Sequence, residues 1–520
     1  MLFISSVFIV VFLPVAVSGF YIIQRRFGRT FALAWLVAAS FTFYATWNPY
    51  DLPILLGLIA ANFILGGLIA RTEGTPRRLW LIGALAFNLI VLGYFKYATF
   101  FADNLAQLFG WPLSTGSRTA GLPLGISFIA FQKIAYLVDV YQKKIKPAGI
   151  FDFSVFASFF PQLVAGPIVH YREIGPQLLR AEKNPPVAER LSIGVTIFAI
   201  GLFKKIVLAD SISPFANNIF NAAADGATLT FFEAWLGTLC YGLQIYFDFS
   251  GYSDMAIGIA RMFGIKMPVN FFSPYRARNV IEFWRRWHIT LSRFLRDYLY
   301  IPLGGNRRGR ARHFLNLTIT MTLGGLWHGA SWNFILWGVL HGFYLAINHA
   351  WLMILPQAKA RHGAGGIALF SGALTFILVT IAWVPFRANT IATTLSIWKS
   401  MAGLNGISLP KAWAGYAAQM PWLTDLGLRF EGAHSGNLFA ANQLMPVLLG
   451  GLAIVFVAPN ATQFMARYRP VLDFNHLVGP PTHWAPRWRP NLLWALFTMV
   501  LLIIAILAPL QSSDFIYYQF

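Results

Sequence analysis

The fold class this sequence predicts is an all-α, polytopic integral membrane protein with about 11–13 transmembrane helices plus re-entrant or interfacial helices. Three observations predict it. First, of 520 residues 57% are hydrophobic and 11% charged, with a mean hydropathy of +0.58, whereas a soluble chain has about a quarter charged residues. Second, apolar runs of spanning length recur along the chain between short loops. Third, the net charge of +21 is spread over those loops. That distribution fixes topology rather than forming a nucleic-acid surface. Length alone suggests about three soluble domains, but one polytopic unit over 1–520 accounts better for the composition. Cys240 is the only cysteine, which excludes an intrachain disulfide and any multi-cysteine metal site.

Taken in order, 2–23 lacks a basic leader region and ends in Gln24-Arg25-Arg26 without a cleavage site, so it reads as a retained span. Spans follow near 31–48, 53–70 and 79–97, completing a peripheral N-terminal group (1–97). A core over 121–352 has spans near 121–141, 191–209, 229–247, 314–333 and 334–352. The C-terminal part (366–520) adds 366–386, 441–458 and 491–510. GLPLGIS (121–127) opens a span as a helix start. FFPQLVAGP (159–167), broken by Pro161 and Pro167, is too short to span; it reads as a re-entrant or interfacial segment shielded by protein. Residues 403–440, with Trp413 and Trp422, form the longest outer loop, and 460–490 a cytosolic loop rich in Pro, Trp and Arg. Placing the N-terminus outside sends Arg25, Arg26, Arg29, Arg71, Arg77, Arg78, Lys143, Lys144, Lys146 and the basic stretch 261–312 to the cytosol.

The chain is organised around 281–345. IEFWRRWHITLSRFLRDYLY (281–300) reads as one helix lying along the membrane surface. Trp284, Trp287, Leu291, Leu295, Tyr298 and Leu299 share one face, and Glu282, Arg285, Arg286, Arg293, Arg296 and Asp297 the other. His288 sits at the edge of the apolar face and points inward, whether as a functional group or as a ring packed beside tryptophan. FLNLTITMTLGGLWHGASWNF (314–334) has the length of a span and no charge except His328, roughly 20 Å in from the basic loop. An ionisable group at that depth is costly without a cavity or partner, which makes function the default and a helix-packing hydrogen bond the alternative. Gly324, Gly325 and Gly329 clear bulk for a backbone or a substrate. On the next span His341 falls within about one turn of the depth of His328 if the two spans form a hairpin, and rivals His288 as its partner. Asp139, Asp248 and Asp254 could orient a histidine or bind a proton; pairing with arginine is the plainer reading. No H-E-x-x-H and no histidine pair at i, i+4 occurs, so a metal site is disfavoured.

These stretches resemble the core of the membrane-bound O-acyltransferase family. The resemblance rests on FWRRWHITLSRFLRDYLYIPLGG and GGLWHGASWNFILWGVLHG, with PLGISFIAFQKIAYLVDVY (123–141), FFPQLVAGPIVHYREI (159–174) and YFDFSGYSDMAIGIARMFGI (246–265). It is closest to the bacterial branch that includes the membrane subunit of alginate O-acetyltransferase. The resemblance implies that His328 is the catalytic histidine and His288 its companion. It implies acetyl-CoA as donor substrate with no bound cofactor, and movement of acetyl across the bacterial inner membrane. An extracytoplasmic acetyltransferase-type protein would then complete O-acetylation of a polysaccharide such as alginate. On this reading His328 is the base, and His288 positions the donor or stabilises the oxyanion. The segment Arg276–Arg312, with ten arginines against two acids, both fixes topology with anionic lipid and offers Arg276, Arg278, Arg285 and Arg286 to the donor's phosphates. Asp248 and His341 are weaker substrate-binding candidates. Two alternatives stand beside this reading. One is a relative acylating peptidoglycan, teichoic acid, a lipid or a protein. The other is a proton-coupled transporter or flippase, which inverted repeats would favour and none is evident.

Overall fold

The computed structural model describes residues 2–111, 121–163, 166–179, 186–354, 365–409, 414–417, 422–425, 428–430, 441–472, 474–477, 486–508 and 516. Its elements are almost all helical. A π-turn, Phe8–Phe12, leads into α1 (Leu13–Phe27), and Gly28, at φ 83°, turns the chain into α2 (Arg29–Ala45). α3 (Leu52–Arg71) and the long α4 (Gly74–Phe109) complete the N-terminal group. Among the described residues, five stretches are long and apolar enough to cross a membrane: Phe8–Phe27, Pro49–Arg71, Gly74–Phe109, Val187–Ala224 and Gly366–Arg387. The outward faces of α4 (Leu79, Ile82, Ile90) and of the C-terminal helices are apolar and exposed, as lipid contact requires.

α5 (Ile126–Tyr141) leads to two short buried helices, α6 (Ile150–Ser158) and α7 (Phe160–Leu163), and then to α8 (Tyr171–Leu179). This is the broken segment expected near 159–167. Its side chains Phe153, Phe156, Phe159 and Phe160 are fully buried, so its irregular backbone is enclosed by protein. The span expected at 191–209 is longer than its hydropathy indicates. α9 (Val187–Phe203) continues through a π-turn, Lys204–Ala209, into α10 (Asp210–Ala224).

The centre of the bundle is α11 (Phe231–Met262), started by a capping box in which Thr230 and Glu233 satisfy each other's backbone N–H groups. It packs against α9 backbone to backbone. A Cβ at Gly201 would fall 2.5 Å from the Gly251 carbonyl oxygen, and one at Gly194 2.6 Å from that of Gly258. Such contacts are how helices associate without a hydrophobic drive between them. α14 (Arg310–His328) and α15 (Trp332–Ile354) form an antiparallel hairpin of the same kind. A Cβ at Gly338 would lie 2.4 Å from Met321 O and one at Gly325 2.1 Å from Phe334 O. α16 (Gly366–Arg387), α17 (Ile391–Met401), α18 (Ala441–Val457) and α19 (Leu492–Leu507) close the bundle. Ile407–Ser408 (β1) and Leu428–Arg429 (β2) pair in a two-residue parallel ladder between α17 and α18. Most of 410–440, including Trp413, and 478–485 of the Pro-rich loop lie outside the described residues.

The expected surface helix over 281–300 is not one helix. α12 (Val280–Trp284), capped by Asn279, ends at Trp284; α13 (Ile289–Leu295) starts after His288 and runs into a π-turn, Arg296–Tyr300. The break is made by a tertiary neighbour. The N–H of Phe272 donates to Arg286 O, and that of Ile289 to Asn270 O, both at 2.9 Å. His288 adopts φ 42° between them. Trp287 and His288 are buried in the core, not laid against a surface.

Candidate active site

His328 is the last residue of α14, about 27 Å along the axis from Arg310. A helix end leaves its final carbonyls without intrahelical donors. Here α4 supplies them. Tyr97 Oη donates to Leu326 O at 2.9 Å, and Lys96 Nζ donates to Trp327 O at 2.5 Å and to His328 O at 3.2 Å. Lys96 also donates to Ser127 Oγ at 3.3 Å and lies over the Trp327 ring. Its N–H groups thus fill the acceptor sites left open at the negative end of the helix dipole.

The imidazole of His328 is 3% exposed. The rings of Trp327, Trp337 and Phe386 lie 5.0–5.1 Å away, and that of His288 6.5 Å. The break between α12 and α13 therefore carries His288 to His328 from 40 residues upstream. His288 is fully buried, edge-on to Phe249 at 4.8 Å. Its Nδ1 lies 3.0 Å from Asn270 Oδ1, which also accepts from Thr290 Oγ1 at 2.9 Å, while Asn270 Nδ2 donates to Ser253 Oγ. In this network Nδ1 carries the His288 proton and Nε2 is the basic nitrogen.

His341 is also buried, but not at the depth expected. A Cβ at Gly342 would meet Thr318 and one at Gly338 meets Met321, so His341 is level with 318–321, roughly 10 Å or more from the helix end. Trp337 stands between the two histidines, its ring 5.1 Å from His328 and 4.7 Å from His341. The glycines near His328 clear room for protein: Gly325 admits the α15 backbone and Gly329 the Phe334 ring.

The arginines divide. Arg276 donates to Val455 O at 3.1 Å and to Ala458 O, capping α18. Arg286 pairs with Glu282 at 2.6 Å. Arg278 and Arg285 are exposed and line a cleft of about 600 Å³ with Asn279, Glu282 and His349. Asp248 and Asp254 are paired with lysines, not arginines: Asp248 and Asp210 each lie 2.8 Å from Lys205, and Asp254 2.6 Å from Lys204. Asp139 accepts from Tyr298 Oη, which in turn meets His170 Nδ1, both at 2.9 Å. Burial, reinforced by Arg293, Arg172 and Lys144, pushes His170 far below the ordinary histidine range, so it stays neutral.

Sequence reasoning missed Lys96, Tyr97, Asn270 and Trp337. Lys96 had a visible signal, a lone cation after an uncharged run from Leu79 to Phe95. The other three had none short of the fold.

A family model described as MBOAT, membrane-bound O-acyltransferase family, matches residues 80–384. The chain is 43% identical over 436 residues to a peptidoglycan O-acetyltransferase of Helicobacter pylori, covering 79% of this chain and 81% of the relative. It is 39% identical over 406 residues to a probable alginate O-acetylase AlgI of Pseudomonas putida, covering 77% and 80%. A teichoic acid D-alanyltransferase of Streptococcus thermophilus is 30% identical over 249 residues, covering 46% and 60%.

Proposed function

The chain belongs to the membrane-bound O-acyltransferase family, and from that premise we propose that it acetylates hydroxyls of an extracytoplasmic polysaccharide with acetyl-CoA as donor. The observation that carries this is the meeting of His288 and His328, rings 6.5 Å apart, in a buried aromatic enclosure. Acyl transfer to a hydroxyl needs a base for the hydroxyl proton, and a neutral imidazole, with a reference pKa near 6.5, suits that task. His328 is that base. Lys96 and Tyr97 hold its backbone, and His288, tethered by Asn270, positions the reacting groups beside it. Arg278 and Arg285 receive the phosphates of the donor at the cytosolic cleft.

The acceptor class is supported by relatives named for alginate and peptidoglycan acetylation, both glycans. The D-alanyltransferase relative marks the acyl group as the part to be tested. The charge asymmetry of the loops supports an inner-membrane protein with its N-terminus outside, anchored by anionic lipid. Delivery of acetyl to an extracytoplasmic acetyltransferase-type partner completes the reaction on the polysaccharide.

The test is transfer of radiolabelled acetyl from acetyl-CoA, supplied on the face carrying the 305–309 loop of proteoliposomes, to alginate or peptidoglycan fragments supplied with the acetyltransferase-type partner on the other. Labelled glycan is expected. Turnover of a D-alanyl carrier in place of acetyl-CoA would overturn the donor assignment.

A further inference from the structure

Among the described residues, several buried N–H groups around His328 have no acceptor, and two of them lie on α15. An indole N–H can only donate, so the 3.3 Å contact from Trp284 Nε1 makes His341 Nδ1 an acceptor. Neutral His341 then carries its proton on Nε2, and that nitrogen is buried without a hydrogen-bond partner. Trp337 Nε1 is in the same state, in a side chain 1% exposed. Trp337 and His341 are four residues apart and therefore share one face of α15. Their rings are 4.7 Å apart, and Trp337 reaches His328. Native proteins rarely leave buried donors unsatisfied, and those that remain call for a ligand or a catalytic task.

We propose that Trp337 Nε1–H and His341 Nε2–H form the oxyanion site for acyl transfer, receiving the carbonyl oxygen of an acyl thioester. This rests on the acyltransfer reading above. His288 is not suited to that part, because its proton is committed to Asn270. Trp327 Nε1 is a third unpartnered donor, but it lies on α14 with its ring stacked on Phe131 at 5.1 Å, away from the shared face of α15. In the reaction the acceptor's hydroxyl oxygen attacks the carbonyl carbon while His328 takes the hydroxyl proton. A C–O bond forms, and the carbonyl π pair moves onto oxygen, where the two N–H groups hold it. Collapse returns that pair, breaks the C–S bond, and the thiolate leaves with the proton from His328. Donors fixed before reaction favour the oxyanion over the neutral carbonyl.

The test uses the full-length protein in proteoliposomes with acetyl-CoA, following thiol release with an alginate oligosaccharide as hydroxyl acceptor and, without the acceptor, the infrared stretch of bound [1-¹³C]acetyl-CoA. Trp337→Phe deletes one N–H and keeps a ring. His341→Phe deletes the other, and His341→Gln retains a side-chain N–H. Each Phe variant is expected to lose about 10²-fold in kcat with donor KM within about threefold of wild type. The bound carbonyl stretch should move toward its free value in both, and His341→Gln should recover about tenfold of the lost rate. Wild-type kcat in either Phe variant, or a loss confined to KM with the stretch unchanged, overturns the oxyanion assignment and leaves the acyltransfer reading standing. If wild-type protein neither binds nor turns over acetyl-CoA, the acyltransfer reading fails and this inference falls with it.

Discussion

His328 is held from behind by groups that do no chemistry. Lys96 gives bonds to the carbonyls of Trp327 and His328 and to Ser127 Oγ, and Tyr97 a single one to Leu326. Each such bond contributes about 1 kcal/mol. Lys96→Met should therefore lower the Tm in detergent more than Tyr97→Phe, and should also lower kcat, because the imidazole rides on the carbonyls it frees. Equal Tm values for the two variants would contradict the ranking. At this scale His288 and His328 were legible, since an ionisable ring in an apolar run announces itself. The partners that orient them were not. Asn270 is 18 residues from His288 and Lys96 is 232 from His328, and no local pattern reports such distances.

Helix positions were legible because lipid-facing and core-facing residues are both apolar, so hydropathy marks a span whatever it packs against; extents were not, since α4, α9–α10 and α11 run past the expected 79–97, 191–209 and 229–247. The same property hid the break at His288. Trp284, Trp287 and Leu291 keep helical spacing across it, and all three are buried. The helix stops because Asn270 and Phe272 take up backbone groups at the junction. Close helix packing sets the next prediction. Gly338→Leu puts a side chain where a Cβ is already 2.4 Å from Met321 O. Overpacking costs about 1–3 kcal/mol or more, so folded yield and Tm should fall as the α14–α15 hairpin is forced apart. Gly83→Ala, in open space on α4, should be neutral or gain about 0.5–1 kcal/mol of helix stability. A Gly338→Leu protein as stable as wild type would mean the hairpin is looser than described.

Across the whole molecule, composition and loop charge made a membrane bundle legible, and the paired histidine motifs made its family legible. Which arginines face a ligand was not legible. Arg276 and Arg278 are near neighbours in sequence, yet one caps α18 and the other lines the cleft. Arg278→Ala and Arg285→Ala should weaken acetyl-CoA binding and reduce its salt dependence, whereas Arg276→Ala should chiefly lower Tm. Equal effects on binding would reduce the basic segment to a topology signal. A tag in 305–309 should report cytosol and one in 403–406 the outside; the reverse would overturn the donor face. The central claim, that His328 is the base of acyl transfer, is tested most directly by the rate of acetyl transfer from acetyl-CoA in His328→Ala and His328→Gln. Both proteins should insert at wild-type level and lose about 10²–10⁴ in kcat, and a His328→Ala protein that transfers acetyl at the wild-type rate would contradict the account.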